Sequence, residues 1–513
     1  MNSAKKSGMT LKELLDGFAP ESLEIGLDTD VKGIAYDSRK LKPGYLFVAL
    51  EGREMDGHNY IHDAIERGAI AVVFEHDLVD GVDSGVPMVK VSNSREVLSK
   101  LAVKYFRYPF EGMNLIGITG TNGKTTTSYI LESILEVAGK RPGVIGTVND
   151  RYGDEIENVS VTTPESLELM RTLRRMSEAG VTDVIMEVSS HALDQGRTND
   201  CPFKVVVFTN ISRDHLDYHN SMNSYFESKT LLFKKRDEIA DPEATTAVIN
   251  ADDPRGRELI KITDFPCITF GLSKSCDVRA ENVRIKKEGL YATIVTPSGV
   301  TDIKSNLIGN FNIYNILSAS AAALCLGIEM ENISSGISIL RGVPGRLELV
   351  GNNLSKTIVV DYAHTPDALL KVLLALKPLY SKIITVFGCG GDRDRGKRRQ
   401  MGLVAGEHSN FVIITSDNPR TEEPMAIAME VEEGVREAGL RQYEMKSVNT
   451  LVDGGYILNI DRKSAIKQAV SLADENAMIL IAGKGHEDYQ ILGKEKIAFD
   501  DRKVAAEAAS GVS

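Results

Sequence analysis

Seven short β-branched runs in this chain each end in a cluster of polar or glycine residues, and that arrangement leaves few architectures open. Leu115–Thr119 runs into Gly120-Thr121-Asn122-Gly123-Lys124-Thr125, and Val184–Val188, which contains Glu187, runs into Ser189-Ser190-His191. Val205–Phe208 is followed by Thr209-Asn210 and then Arg213-Asp214-His215. Ile358–Val360 leads to Asp361-Tyr362-Ala363-His364, and Ile383–Phe387 to Gly388-Cys389-Gly390-Gly391-Asp392-Arg393. Val412–Thr415 leads to Asp417-Asn418-Pro419-Arg420, and Met478–Ala482 to Gly483-Lys484-Gly485-His486-Glu487. Helical patterns lie between the runs. Such alternation predicts α/β domains with parallel sheets, and open parallel sheets bind ligands beyond the carboxyl ends of their strands.

The first cluster carries the clearest chemistry. A glycine-rich turn between a strand and a helix points backbone N–H groups into one concavity, and the helix N-terminus adds positive potential. Lys124 can reach the outer phosphates of a nucleotide and Thr125 can ligate magnesium. The standard spacing places glycine six residues before the lysine, where this chain has Ile118; with glycines at 117 and 120, the loop is a variant P-loop. A turn with chance glycines is the bland alternative, and the amphipathic pattern Tyr129-Ile130-Leu131…Ile134-Leu135 after it argues for the nucleotide loop. Glu187 stands where NTPases hold a magnesium-binding acid. His215 follows the next run, and a carboxylate with an imidazole could hold a second Mg²⁺; a hydrogen-bonded structural histidine is the commoner use.

A length of 513 residues exceeds one hydrophobic core, so about three domains are expected. Residues 1–110 form a small N-terminal α/β unit with strands at Tyr45–Leu50 and Ala69–Phe74, residues 111–343 a central P-loop NTPase-like domain on a parallel sheet, and residues 344–513 a C-terminal Rossmann-like α/β domain. The net charge of −12 makes nucleic acid an unlikely partner, so anionic substrates need local basic clusters. The five scattered cysteines read as reduced thiols of a cytoplasmic protein, not a disulfide or zinc framework. Neither a signal peptide nor a membrane span is expected.

These motifs resemble those of the Mur ligases, the amide-forming enzymes of peptidoglycan precursor synthesis. The resemblance is carried by Gly120–Thr125, Glu187-Val188-Ser189-Ser190-His191, Thr209-Asn210 with Asp214-His215, Gly309-Asn310-Phe311-Asn312-Ile313-Tyr314-Asn315, and Pro344-Gly345-Arg346-Leu347-Glu348. Asp37-Ser38-Arg39 and Pro43-Gly44-Tyr45-Leu46-Phe47-Val48 are similar to the uridine-binding segment of the member that adds the third peptide residue. The resemblance implies a monomer that uses ATP and Mg²⁺ to turn a substrate carboxylate into an acyl phosphate, which an amine then attacks. It assigns the ATP site to Gly120, Thr121, Asn122, Gly123, Lys124, Thr125, Thr126, Asn312, Asn315, Arg346 and Asp361. It assigns the metals to Thr125, Glu187, His215 and a carbamylated Lys229, with Lys124 also catalytic. Read alone, Lys229 is a surface residue of a helix; carbamylation would turn its cation into an anion. The UDP-MurNAc-L-Ala-D-Glu substrate falls to Ser38, Arg39, Thr162, Thr163, Ser189, Gln195 and Arg197, although Thr162-Thr163-Pro164 by itself reads as a helix N-cap.

The incoming amine is the sharpest question. Asp417-Asn418-Pro419-Arg420 has the form that the resemblance ties to meso-diaminopimelate, which differs from lysine by a second carboxylate at its far end. A guanidinium binds a carboxylate through two parallel hydrogen bonds and repels an ammonium. Arg393 is a candidate for the other carboxylate, and Glu487 with Gly483 for the far ammonium. The bland alternative is an Arg420 that pairs with Glu422 or Glu423. A lysine-adding relative, a folylpolyglutamate synthetase-like ligase and a P-loop ATPase without ligase activity stay open as alternatives.

Overall fold

The computed structural model describes residues 9–18, 28–52, 55–76, 85–159, 161–235, 245–351, 356–444, 453–475 and 477–510. Three main sheets follow one another along the chain. The N-terminal sheet has four parallel strands in sequence order: Gly33–Ala35, Tyr45–Val48, Ala69–Phe74 and Met88–Lys90. Its helix Ser94–Tyr105, capped by Asn93, packs on the helix Ser166–Glu178 of the next unit. Leu46, Val48, Leu98 and Leu101 thereby join Leu115, Leu169, Met170 and Met186 in one buried cluster.

The central sheet has 11 strands. From Pro142–Ile145 the order passes through Asp183–Glu187, Asn114–Thr119, Phe203–Phe208, Thr246–Asn250 and Cys267–Gly271 to Val278–Lys286, all parallel. Both faces are covered: Leu115, Val184 and Met186 point to one buried cluster, Ile116, Ile118 and Ile185 to the other. This two-sided burial is why these strands read as continuous apolar runs. Antiparallel strands extend the sheet at each side: Asp150–Tyr152 and Glu155–Glu157 beyond Pro142–Ile145, Gly289–Thr296 and Gly299–Ser305 beyond Val278–Lys286. The parallel sheet expected from the sequence is therefore the middle of a mixed one.

The C-terminal sheet has seven strands, in the order Glu348–Leu349, Thr357–Asp361, Ala477–Ala482, Lys382–Phe387, Phe411–Ile414, Gly455–Leu458 and Arg441–Gln442, parallel except for the first pair. Ile383, Val412 and Met478 face one buried cluster, and Ile384, Ile413 and Ile479 the other. The α/β class and the Rossmann-like third unit are as the sequence indicates. Among the described residues no helix is long and apolar enough to cross a membrane.

Candidate active site

The strand Asn114–Thr119 ends at the loop, and the helix Lys124–Val137 begins directly after Gly123. Gly120 (φ +147°) and Gly123 (φ +90°) take backbone conformations that L side chains rarely adopt. A Cβ on the first would strike Thr209 Oγ1, and on the second Asn315 Oδ1. Gly117 is not part of the loop: it lies inside the strand, where a Cβ would come 3.0 Å from the Phe203 ring. The neighbouring strand end braces the turn. Thr121 N–H donates to Asn210 O (2.9 Å), Asn122 N–H to Asn210 Oδ1 (3.0 Å), and Thr209 Oγ1 to Asn122 O (2.7 Å).

Lys124 Nζ donates to Gly120 O (2.7 Å) and Thr121 O (3.0 Å), and burial lowers its pKa. Thr125 Oγ1 donates to Glu187 Oε2 (2.9 Å), at the end of the buried strand Asp183–Glu187. Glu187 also accepts from Thr147 Oγ1 (2.9 Å) and Thr147 N–H (3.1 Å). Thr126 is buried beside Thr125.

Lys229 lies 105 residues after Lys124 in the chain and meets it at the same carbonyl. It sits on the helix Met222–Thr230, is 1% exposed, and donates from Nζ to Gly120 O at 3.1 Å. It is not the surface residue that its sequence context alone implies. Its amine lies 4.5 Å from the centre of the Tyr225 ring, whose hydroxyl is 3.1 Å from Thr121 Oγ1. Burial and then the charge of Lys124 push its pKa well below the ordinary lysine value. His215 has φ +53° and opens the turn Leu216–His219. Its ring stands edge-on to His191 (5.0 Å between centroids) and Tyr225 (5.9 Å). The structure thus gathers Lys124, Thr125, Glu187 and Lys229 around one loop, with His215 joined through Tyr225.

A second network grows from the carboxyl end of the Glu187 strand. Thr163 Oγ1 donates to Glu187 O (2.8 Å) and accepts from Ser189 N–H (3.0 Å). Arg197 donates from Nη1 to Thr163 O (2.8 Å) and from Nε and Nη2 to Gln195 Oε1 (3.0 and 2.6 Å). Thr162 Oγ1 lies 3.1 Å from Thr147 Oγ1. Neither threonine caps the helix Ser166–Glu178; Glu165 does, accepting from Ser166 N–H. Glu165 also binds Arg95 of the N-terminal unit (2.7 Å) and lies 3.6 Å from Arg197. In that unit Ser38 is buried, while Arg39 is exposed and forms a fork with Asp37 (2.9 Å to each oxygen) that holds the Asp37 carboxyl below its usual pKa. Among the described residues Ser38 and Arg39 share no hydrogen bond with the loop.

The third unit supplies Arg346, whose Nη2 donates to Thr125 Oγ1 (3.3 Å) and whose guanidinium lies 4.7 Å from the Tyr362 ring centre. Asp361 is buried and spends both oxygens on main-chain N–H groups, those of Ala363 (2.8 Å) and Leu347 (2.7 Å). It thereby fixes the turn that carries Arg346. Asn312 and Asn315 are buried at the start of the helix Asn312–Cys325; Asn315 Nδ2 donates to Asn312 Oδ1 (2.8 Å), and Asn312 Nδ2 to Ile308 O (2.7 Å).

The remaining candidates meet at the ends of the C-terminal strands. Arg420 Nη1 donates to Gly391 O at 2.7 Å. Glu422 is not its partner: Arg398, 1% exposed, takes both Glu422 oxygens (2.7 and 2.9 Å) and draws that carboxyl down to about 2. A Cβ on Gly390 would lie 3.0 Å from Arg420 Nη1 and 3.8 Å from Arg393 Cγ, so a bare backbone separates the two arginines. Pro419 precedes Arg420 and accepts from Glu422 N–H (3.1 Å). Asn418 Nδ2 donates to Glu487 Oε2 (3.0 Å), and Asp417 Oδ2 packs where a Gly483 side chain would stand (2.8 Å). The sequence reading missed Thr147, Glu165, Arg398 and Lys484. Thr147 had a signal: Val144-Ile145-Gly146-Thr147 is one more run with a glycine and a hydroxyl at its end.

A phosphate-type loop, a carboxylate at the adjacent strand end and a separate α/β unit reaching back to the loop define a nucleotide-using enzyme assembled from several domains. The chain belongs to the Mur ligase family. Residues 30–106 match the Mur ligase family catalytic domain, 118–323 the Mur ligase middle domain, and 345–485 the Mur ligase, glutamate ligase domain. The chain is 45% identical to UDP-N-acetylmuramoyl-L-alanyl-D-glutamate--2,6-diaminopimelate ligase of Geobacter sulfurreducens, over 98% of each chain. It is 40% identical to the enzyme of that name from Listeria monocytogenes, over 98% of this chain and 100% of the other. A solved structure of that name matches with a TM-score of 0.67 at 31% identity, over 98% of this chain and 99% of the other. A folylpolyglutamate synthase of Mycobacterium tuberculosis shares the fold alone, over 74% of this chain and 91% of the other, at 18% identity and a TM-score of 0.58.

Proposed function

We propose that this chain is an ATP-dependent ligase that joins meso-2,6-diaminopimelate to the γ-carboxylate of D-Glu in UDP-N-acetylmuramoyl-L-alanyl-D-glutamate, a step in peptidoglycan precursor synthesis. The observation that carries the choice of amine is the Arg420 guanidinium, held against Gly391 O beside Arg393, while Arg398 occupies the nearby Glu422. The full-length similarity to relatives named for this reaction supports it.

The D-Glu carboxylate attacks the γ-phosphorus of ATP; an O–P bond forms, the bond to ADP breaks, and an acyl phosphate results. The diaminopimelate amine then attacks the acyl carbon, the amide forms, phosphate leaves and the amine gives up a proton. No side chain serves as nucleophile, so the enzyme works by positioning and charge neutralisation. The N–H groups of Gly123 and the first helical residues, with Lys124, cradle the phosphates, while those of Thr121 and Asn122 brace the loop on Asn210; Arg346 reaches the phosphates from the third unit. Asp361 acts on ATP through the Arg346 turn, and Asn312 and Asn315 lie behind Gly123 on the adenosine side.

Thr125, Glu187, His215 and Lys229 are the residues that would hold Mg²⁺. Oxygen donors such as the paired Thr125 hydroxyl and Glu187 carboxylate suit that hard cation. When bound, Mg²⁺ neutralises charge on the phosphate oxygens. An amine is no ligand for it, but the lowered Lys229 pKa favours the neutral form that attacks CO₂. An N–C bond forms, a proton leaves to water, and the carbamate supplies oxygen donors. Thr162, Thr163, Ser189, Gln195 and Arg197 hold the muramoyl-dipeptide, and Ser38 and Arg39 the uridine end. The chain acts as a cytoplasmic monomer, with domain boundaries near residues 110 and 343.

The test is phosphate release with ATP and UDP-N-acetylmuramoyl-L-alanyl-D-glutamate, with diaminopimelate or lysine added separately. Release that requires diaminopimelate is expected. Release with lysine alone overturns the choice of amine, and release without any amine overturns the ligase reading.

A further inference from the structure

Lys484 is 0% exposed and takes no part in the mechanism above. A lysine ammonium removed from water is costly unless acceptors surround it. Here Nζ donates to Asn418 Oδ1 (3.0 Å) and Glu487 Oε2 (3.1 Å), and Asp417 Oδ1 lies 3.6 Å away. Asn418 Oδ1 also accepts from Ile491 N–H (3.0 Å). With two donors on its oxygen, the Asn418 amide has one sensible orientation, which sends Nδ2 to Glu487 Oε2 (3.0 Å). Lysine and amide therefore converge on the same Glu487 oxygen. Glu487 Oε1 takes no hydrogen bond from the described residues, and the side chain is 15% exposed. On the other side of Asn418, its main-chain carbonyl lies 3.5 Å from Arg420 Nη1.

We propose that Lys484 is a positioning residue for substrate selection: by fixing Glu487 through Oε2 it aims Oε1 at the far ammonium of the amine substrate. Arg420 meets the far carboxylate, so the two sides of Asn418 together recognise one complete amino-acid end, with both its charges. The assignment deepens the proposed function and rests on diaminopimelate as substrate. Without Lys484, the carboxylates of Asp417 and Glu487 lose the cation between them, and Glu487 is free to turn.

The experiment compares diaminopimelate with 2-aminopimelate, which keeps the far carboxylate and lacks the far ammonium, as amine substrates of the full chain. Lys484→Met and Lys484→Gln should lower the preference for diaminopimelate in kcat/KM by roughly tenfold or more, read mainly in KM. A merely structural lysine would depress both substrates alike and leave the preference unchanged, and that result overturns the proposal. If the single variants do not fold, the charge-balanced pair Lys484→Met with Glu487→Gln is compared with Glu487→Gln alone. Equal preference supports the assignment, because Lys484 then acts only through Glu487; a further loss on both substrates overturns it. Wild-type protein that does not turn over diaminopimelate overturns the proposed function. Wild-type turnover with unaltered preference in the variants overturns only the role of Lys484.

Discussion

Replacing Arg420 with lysine tests the choice of amine directly. One Arg420 nitrogen, Nη1, is committed to Gly391 O at 2.7 Å, which leaves the Nε and Nη2 edge for a carboxylate fork. Lysine keeps the charge but offers a single point of contact, so Arg420→Lys loses about one charge-assisted hydrogen bond, worth roughly 1.5–3 kcal/mol. That converts to a loss of roughly 10- to 150-fold in kcat/KM for diaminopimelate. Backbone strain does not confuse the comparison. Arg420 has φ +53°, pinned by its N–H on Ile491 O (3.1 Å) and its carbonyl under Gly493 N–H (2.8 Å). Lysine has the same Cβ and meets the same cost there. The assay is initial-rate phosphate release at saturating ATP and UDP-substrate, with diaminopimelate varied and L-lysine as the comparison amine. Lysine has no far carboxylate, so any release it supports should stay level. A change under about threefold for diaminopimelate, or an equal fall for both amines, refutes the assignment.

Two further outcomes follow from buried groups. Lys229→Ala should lower kcat by on the order of 100-fold, with partial recovery on adding short carboxylates, and native protein should carry the mass of one CO₂ on that residue; an unmodified Lys229 in active enzyme would contradict the carbamate. Burial raises the Asp150 carboxyl from 3.8 to about 6, so its penalty on the fold is absent below about 3.8, grows through that window and is complete above 6, at up to about 3 kcal/mol. Asp150→Asn keeps an acceptor for Gly146 N–H (3.3 Å) and should melt higher than the parent at pH 8, the gap closing as pH falls toward 4; a gap independent of pH counts against the reasoning.

What the sequence made legible tracks how each element is buried. The seven runs stand out because their strands are covered on both faces, so nearly every position is apolar. Gly289–Thr296 and Gly299–Ser305 went unread for the opposite reason: buried residues alternate with half-buried ones in the first and with exposed Asp302 and Lys304 in the second, and glycines start both strands. Gly117 shows how spacing can mislead. Counted along the chain it resembles a displaced loop glycine, but packing against Phe203 explains it. Lys484 stood in plain view inside a cluster at a strand end, yet only its burial separates it from an ordinary surface lysine.

No sequence pattern could have shown that Lys124 and Lys229 donate to one carbonyl, that of Gly120, at 2.7 and 3.1 Å. Two ammonium groups on one buried oxygen repel each other, and burial disfavours both charges. The fold relieves the conflict most readily at Lys229, whose pKa falls well below the ordinary value with Lys124 as its second cause. A neutral amine is the form that CO₂ requires, and the carbamate that results is an anion. Once it forms, the repulsion between the two side chains becomes attraction. On the proposed reading the P-loop lysine therefore does more than face phosphates: it helps create, and then helps hold, the negative group that completes the metal site. Lys124→Met should accordingly reduce the fraction of Lys229 that carries CO₂, a loss that mass analysis reads without any turnover. An unchanged fraction would show that burial alone drives the modification.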